Sequence, residues 1–243
     1  MLNFQREPFC YLPFGDNDLF DLTCEYCISQ IEKIQANYHE IAGMSQTILN
    51  NMPNSDFDLY KICFGQTENY LENYAKLVKS VNLSIGQPVG RVASKQTILD
   101  YTNYNPSAVL QEIIVHGLRN TSQHFEERLQ DYQNQVDPFL KLYYNGQHIY
   151  WEITFGKGGY RHSGNRRSWT PESFEIDRLS FQSYRIVQGV LTTETVSIQE
   201  IWNDTNEIFQ LFENNIEIMR QQKGLCCPPI RGLSIFTLPD KPE

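Results

Sequence analysis

A chain of 243 residues and 28.4 kDa suits one domain of ordinary size or two small ones. Hydrophobic residues make up 40% and aromatic residues 13% of it, enough to bury a core, so disorder is excluded as a global description. With 20 Lys+Arg against 29 Asp+Glu and a formal net charge of −9, it is not a general nucleic-acid coat, and any phosphate binding needs a confined basic patch.

No apolar run approaches the roughly 20 residues needed to cross a bilayer. The opening MLNFQREPFCYLPFGDND has neither a basic n-region nor an apolar h-region, so no secretory signal is visible. These features predict a cytoplasmic protein without a membrane partner.

Over 18–50, Leu19, Leu22, Tyr26, Cys27, Ile31, Ile34, Tyr38, Ile41 and Ile48 recur at helical spacing. Asp16 and Asn17 are candidate caps, and Met52-Pro53-Asn54-Ser55 breaks the run. Within this helix Cys24 and Cys27 have the spacing of half a zinc site or a redox pair. No second pair at ligand spacing accompanies them, and Cys27 falls on the apolar stripe, so the spacing is read as structural. Neither a metal nor any other cofactor is expected.

A second helix is predicted after the break at 52–55, to about Val81, with Phe57, Tyr60, Cys63, Phe64, Thr67, Tyr70, Leu71, Tyr74 and Leu77 on one side. Residues 82–94, with Gly86, Pro88 and Gly90, read as a connection, and a short helix is placed at 95–103. Asn105-Pro106-Ser107 starts a third long helix, with Pro in the first turn where a lost donor matters least. Its core stripe is Leu110, Ile114, Leu118, Phe125, Leu129 and Tyr132, and it runs to about Gln135.

At Pro138 the period changes. Residues 139–144 and 148–155 are rich in aromatic and β-branched residues and flank Asn145-Gly146, a strong hairpin signal. The polar, glycine-rich segment GKGGYRHSGNRRSW follows and reads as a loop, with further strands at 174–187 and 190–196. Helical spacing returns with Ile198, Ile201, Trp202, Thr205, Ile208, Phe209, Phe212, Ile216 and Met219, and the tail from Gly224 is irregular. The expected architecture is mainly α: an up-and-down four-helix bundle with an inserted β-hairpin or small antiparallel sheet before the last helix. That is one domain, with bundle residues 1–137, the insertion at 138–196, the last helix at 197–223 and the tail at 224–243.

Two segments carry chemistry. On the third helix, His116, Asn120 and His124 lie at four-residue intervals beside the apolar stripe. Arg119 borders them and can clamp a phosphate bidentately. An imidazole such as that of His124 transfers protons near neutral pH. The second segment concentrates Lys157, Arg161, Arg166 and Arg167 with Tyr160 and Trp169 in an acidic chain. Guanidinium groups bind phosphates and aromatic rings stack on unpaired bases.

Arg119-Asn120-Thr121-Ser122-Gln123-His124 resembles the signature of the HEPN superfamily, whose small helical bundles carry an arginine, often followed by Asn or His, and then a histidine. The following Phe125-Glu126-Glu127-Arg128-Leu129 is also similar to bacterial members. The resemblance implies a metal-independent endoribonuclease acting as a homodimer on single-stranded RNA, in phage defence or a toxin–antitoxin setting. Arg119 would hold the scissile phosphate, His124 would serve as general acid or base for attack by the 2′-hydroxyl, and Asn120 would orient one of them. Some toxin members carry a Tyr two residues after the His as the target of a partner antitoxin; here that position is Glu126, which argues against that mode of control. The rival reading is a noncatalytic module of the same type, dimerising through the bundle and binding a protein partner or a small ligand through the β segment.

Overall fold

The computed structural model describes residues 18–52, 56–81, 110, 139–156, 159–166, 172–188 and 190–222. Helices α1 (Asp18–Asn51) and α2 (Phe57–Val81) fall where the periodicity places them. Ile31, Ile34, Ile41 and Ile48 of α1 and Tyr60, Phe64, Leu71, Tyr74, Leu77 and Val78 of α2 are buried, at the three- and four-residue spacing of one helical face. The two helices pack along their length. Asn37 Nδ2 donates to Gln66 Oε1 at 2.9 Å and accepts at its Oδ1 from Asn73 Nδ2 at 3.0 Å. Asp56 Oδ1 accepts the Asp58 N–H at 2.9 Å and caps α2. The helices expected at 95–103 and 106–135 fall, Leu110 apart, outside the described residues.

The second half holds five strands: β1 (Phe139–Asn145), β2 (Ile149–Gly156), β3 (Gly159–Arg166), β4 (Leu179–Val187) and β5 (Val190–Ser197). They form one antiparallel sheet in the order β3-β2-β1-β4-β5. Helix α3 (Ile198–Gln222) follows β5 without a loop. Its start is fixed by a capping box: the Glu200 carboxylate accepts the Ser197 N–H at 2.9 Å, and Ser197 Oγ accepts the Gln199 N–H at 3.1 Å.

This architecture corrects the four-helix bundle. Three helices and a five-stranded sheet make up the described residues. The sheet is no appendage, because strand alternation drives Leu140, Leu142, Tyr144, Ile149, Trp151, Ile153, Leu179, Phe181 and Val196 into the same core as the helices. The Trp151 indole meets the Tyr60 ring of α2 edge-on, with centroids 5.3 Å apart, and Phe64 of α2 touches both Phe181 and Tyr160. Helix α3 is tied to the helical pair by Tyr70, whose hydroxyl donates to the Ile198 carbonyl at 3.0 Å, and by a buried hydrogen bond from Tyr74 to Asp204. Burial raises the Tyr70 hydroxyl well above the usual phenol range.

Other boundaries change for local reasons. The glycine-rich segment read as a loop is largely strand β3, with Gly159 at φ 82° closing the turn from β2. Residues 176–178, expected in a strand, form a 3-10 turn before β4. The β1–β2 connection is longer than a two-residue Asn-Gly turn, since Asn145 pairs with Tyr150. Register is held instead by burial of Tyr144 beside its partner Trp151. The Gly146 N–H bonds the Ile149 carbonyl at 2.9 Å, and Glu172 accepts the His148 N–H at 2.7 Å. A side chain at Gly146 would overlap the Glu172 carboxylate and come within 2.7 Å of the Tyr144 ring.

Trp151 is fully buried, so Trp151→Ala is expected to lower stability by about 3–5 kcal/mol in urea unfolding. Gln188, in the β4–β5 turn, has φ 52°, a conformation costly for any residue with a Cβ. Gln188→Gly is therefore expected to raise the urea midpoint, by about 1 kcal/mol in stability.

Candidate nucleic-acid interface

The alternation that fills the core leaves the other side of the sheet to the polar residues. On that side β1 carries Lys141 and Tyr143, β2 carries Tyr150, Glu152 and Thr154, and β3 carries Arg161 and Ser163. Ser180 and Gln182 of β4 and Thr195 and Ser197 of β5 continue it. Cross-strand register sets these residues in rows: Arg161, Thr154, Lys141, Gln182 and Thr195 in one, and Ser163, Glu152, Tyr143, Ser180 and Ser197 in the next. At the Phe139 end the face closes, where the rings of Phe139 and buried Tyr184 lie 5.7 Å apart.

One carboxylate organises the centre. Glu152 Oε1 accepts from Ser163 Oγ at 3.0 Å, Oε2 faces Lys141 Nζ at 3.3 Å, and the Tyr150 hydroxyl bonds the same carboxylate. Lys141 and Glu152 side chains are 26% and 22% exposed, so the pair is partly wet and contributes up to about 1 kcal/mol. Lys141 Nζ also lies 5.2 Å from the centre of the Tyr143 ring, which fixes that ring beside a cation. Gln182 Nε2 donates to Thr195 Oγ1 at 3.1 Å. Among the described residues of this face, Lys141 and Arg161 against Glu152 leave a local charge of +1 within a chain of −9.

The residues singled out from sequence fare differently. Arg161 is exposed on this face, opposite Thr154. Arg166 ends β3, its backbone paired with Ile149. Lys157 and Arg167 lie outside the described residues, as do Arg119, Asn120 and His124. Lys141, Tyr143, Tyr150 and Glu152 were not singled out. Their signal was the polar half of the alternation in FLKLYYN and IYWEITFG, which a search for clustered cations passes over.

Cys27 is buried among the core residues and burial pushes its thiol up to about 12. Cys63, 3.6 Å from Ser45 Oγ, is pushed up to about 12 for the same reason. A thiol held protonated is a poor metal ligand and a poor nucleophile. Among the described residues no group of three or more His, Cys, Asp or Glu is placed to hold a metal ion, and no helix is long and apolar enough to cross a membrane.

The raised thiols set a pH dependence. In the unfolded chain they ionise from about 9.0, while the folded chain keeps them protonated up to about 12. The stability these two thiols contribute is therefore expected to be constant below pH 9 and to be lost between pH 9 and pH 12, as urea midpoints across that range will read. Cys27→Val should flatten part of that fall. Compared with known proteins, the chain matches no family model, no curated protein and no solved structure.

Proposed function

We propose that the protein binds single-stranded RNA across the solvent-facing side of its sheet and that Arg119 and His124 cut the bound strand. The observation that carries the binding half is the placing of Lys141, Tyr143, Tyr150 and Arg161 on adjacent strands of one polar face. Unpaired bases stack on tyrosine rings, phosphates pair with the two cations, and the Ser, Thr and Gln residues around them offer hydrogen bonds to base edges and 2′-hydroxyls. A double helix fits this face less well, because its bases are already stacked and unavailable to the rings.

The chemical half rests on the resemblance of Arg119-Asn120-Thr121-Ser122-Gln123-His124 to the HEPN signature. The His124 imidazole takes the proton from a ribose 2′-hydroxyl, whose oxygen attacks the adjacent phosphorus. The bond to the 5′-oxygen breaks, that oxygen takes a proton, and a 2′,3′-cyclic phosphate remains. Arg119 offsets the charge that develops on the phosphoryl oxygens. The nucleophile is already part of the substrate, so positioning supplies much of the acceleration.

Fluorescence anisotropy with a labelled oligouridine in EDTA tests both halves. Tyr143→Ala is expected to weaken binding about 5- to 150-fold, the loss of one stacked base. Lys141→Ala should reduce the slope of log affinity against log salt by about 0.7, one phosphate contact. His124→Ala should bind as the wild type does and leave the RNA intact. Binding without cleavage by the wild type would leave a noncatalytic RNA-binding module; unchanged binding by Tyr143→Ala and Lys141→Ala would reject the sheet face.

A further inference from the structure

A carboxylate at the centre of a face that receives phosphates opposes binding unless it meets something other than the backbone. Glu152 is the one carboxylate among the described residues of this face, and its acceptor sites are unevenly filled. Oε2 meets Lys141 Nζ at 3.3 Å and receives the Tyr150 hydroxyl. Among the described residues Oε1 receives only Ser163 Oγ, at 3.0 Å, and a carboxylate oxygen has two lone pairs, so one is left. Ser163 gives its proton to Glu152, which leaves its own oxygen an acceptor. Ser163 is exposed and Glu152 half-buried, so the pair is within reach of a ligand. In order across the face stand an acceptor at Ser163, an acceptor at Glu152 and a donor at Lys141.

We infer that this row reads guanine in the bound strand, with Glu152 and Ser163 setting the base preference, which rests on the sheet face being the RNA-binding surface proposed above. An unpaired base offers its Watson–Crick edge to side chains. Of the four bases only guanine presents two donors and then an acceptor there: N2–H, N1–H and O6. Its N2–H and N1–H bond Ser163 Oγ and Glu152 Oε1, and O6 meets Lys141 Nζ. Adenine and cytosine set the lone pair of a ring nitrogen against the carboxylate. Uracil sets O2 against the Ser163 oxygen. Tyr143 pairs with Glu152 across the strands, close enough for its ring to hold the base whose edge is read.

Fluorescence anisotropy, taken before cleavage proceeds, tests this with labelled oligouridines of one length that carry guanosine, adenosine or inosine at the central position. The guanosine strand is expected to bind about 5- to 150-fold more tightly than the adenosine strand, the range for one doubly hydrogen-bonded base. Adenosine is also a purine, so the comparison sets stacking aside. Inosine, which lacks the N2 amino group, should fall between the two. Glu152→Ala should bring the guanosine and adenosine strands to equal affinity. Ser163→Ala, at an exposed position, should erase the difference between guanosine and inosine, and it serves alone if Glu152→Ala fails to fold. Equal binding of the guanosine and adenosine strands by the wild type overturns the guanine reading and leaves the RNA surface standing. Binding of none of the strands overturns both. A guanosine preference that survives in the folded variants also overturns the assignment to Glu152 and Ser163.

Discussion

The burial of Trp151 is the contact on which the rest depends. Its indole sits between Tyr60 of α2 and Tyr144 of β1, and all three residues are fully buried. An aromatic of this size buries about 150–250 Å², and it buries it only if β2 presents that face to α2. Once Trp151 faces inward, the period of two sends Ile149 and Ile153 in with it and turns Tyr150, Glu152 and Thr154 out. A slip of one residue would reverse all six and bring Glu152 into the core.

The neighbouring strands are then constrained in turn. Pairing of Trp151 with Tyr144 and of Phe181 with Leu142 fixes β1 and β4 to the same alternation, which sets Lys141 and Gln182 side by side on the solvent face. The proposed RNA surface is therefore a consequence of core packing and not a separate feature. The acidic net charge of the chain is spent elsewhere. At the centre of this face, the one described carboxylate is engaged by Lys141, Ser163 and Tyr150, which offsets its charge.

Local structure was legible where a single period runs for several turns. The stripe from Cys27 to Ile48 places α1, the stripe from Tyr60 to Leu77 places α2, and the apolar alternation of 139–155 places β1 and β2. Architecture was not legible, because an amphipathic helix shows that one face must be covered without showing by what. The apolar faces of α2 and α3 fit another helix as well as they fit a sheet, and the sheet won because five strands together bury Leu142, Trp151, Ile153 and Phe181 in one layer. Strand β3 was hidden by its glycines, which weaken a strand signal but are tolerated where β2 supplies a full ladder of partners. Of the candidate site, Arg161 was found through its charge, whereas Tyr143 and Tyr150 were hidden because a tyrosine in an alternating strand reads first as core. The capping box of Ser197 and Glu200, not read from the sequence, marks where the sheet ends and α3 begins.

The central claim is that one side of the sheet is committed to the core while the other receives unpaired bases on tyrosine. Photocrosslinking of a 5-iodouridine-substituted single-stranded RNA, followed by mass spectrometry of the adducts, tests it directly, since this chemistry favours an aromatic ring stacked on the base. The account predicts adducts at Tyr143 and Tyr150. Adducts confined to peptides of α1, α2 or α3, or none from an RNA that binds, would contradict it.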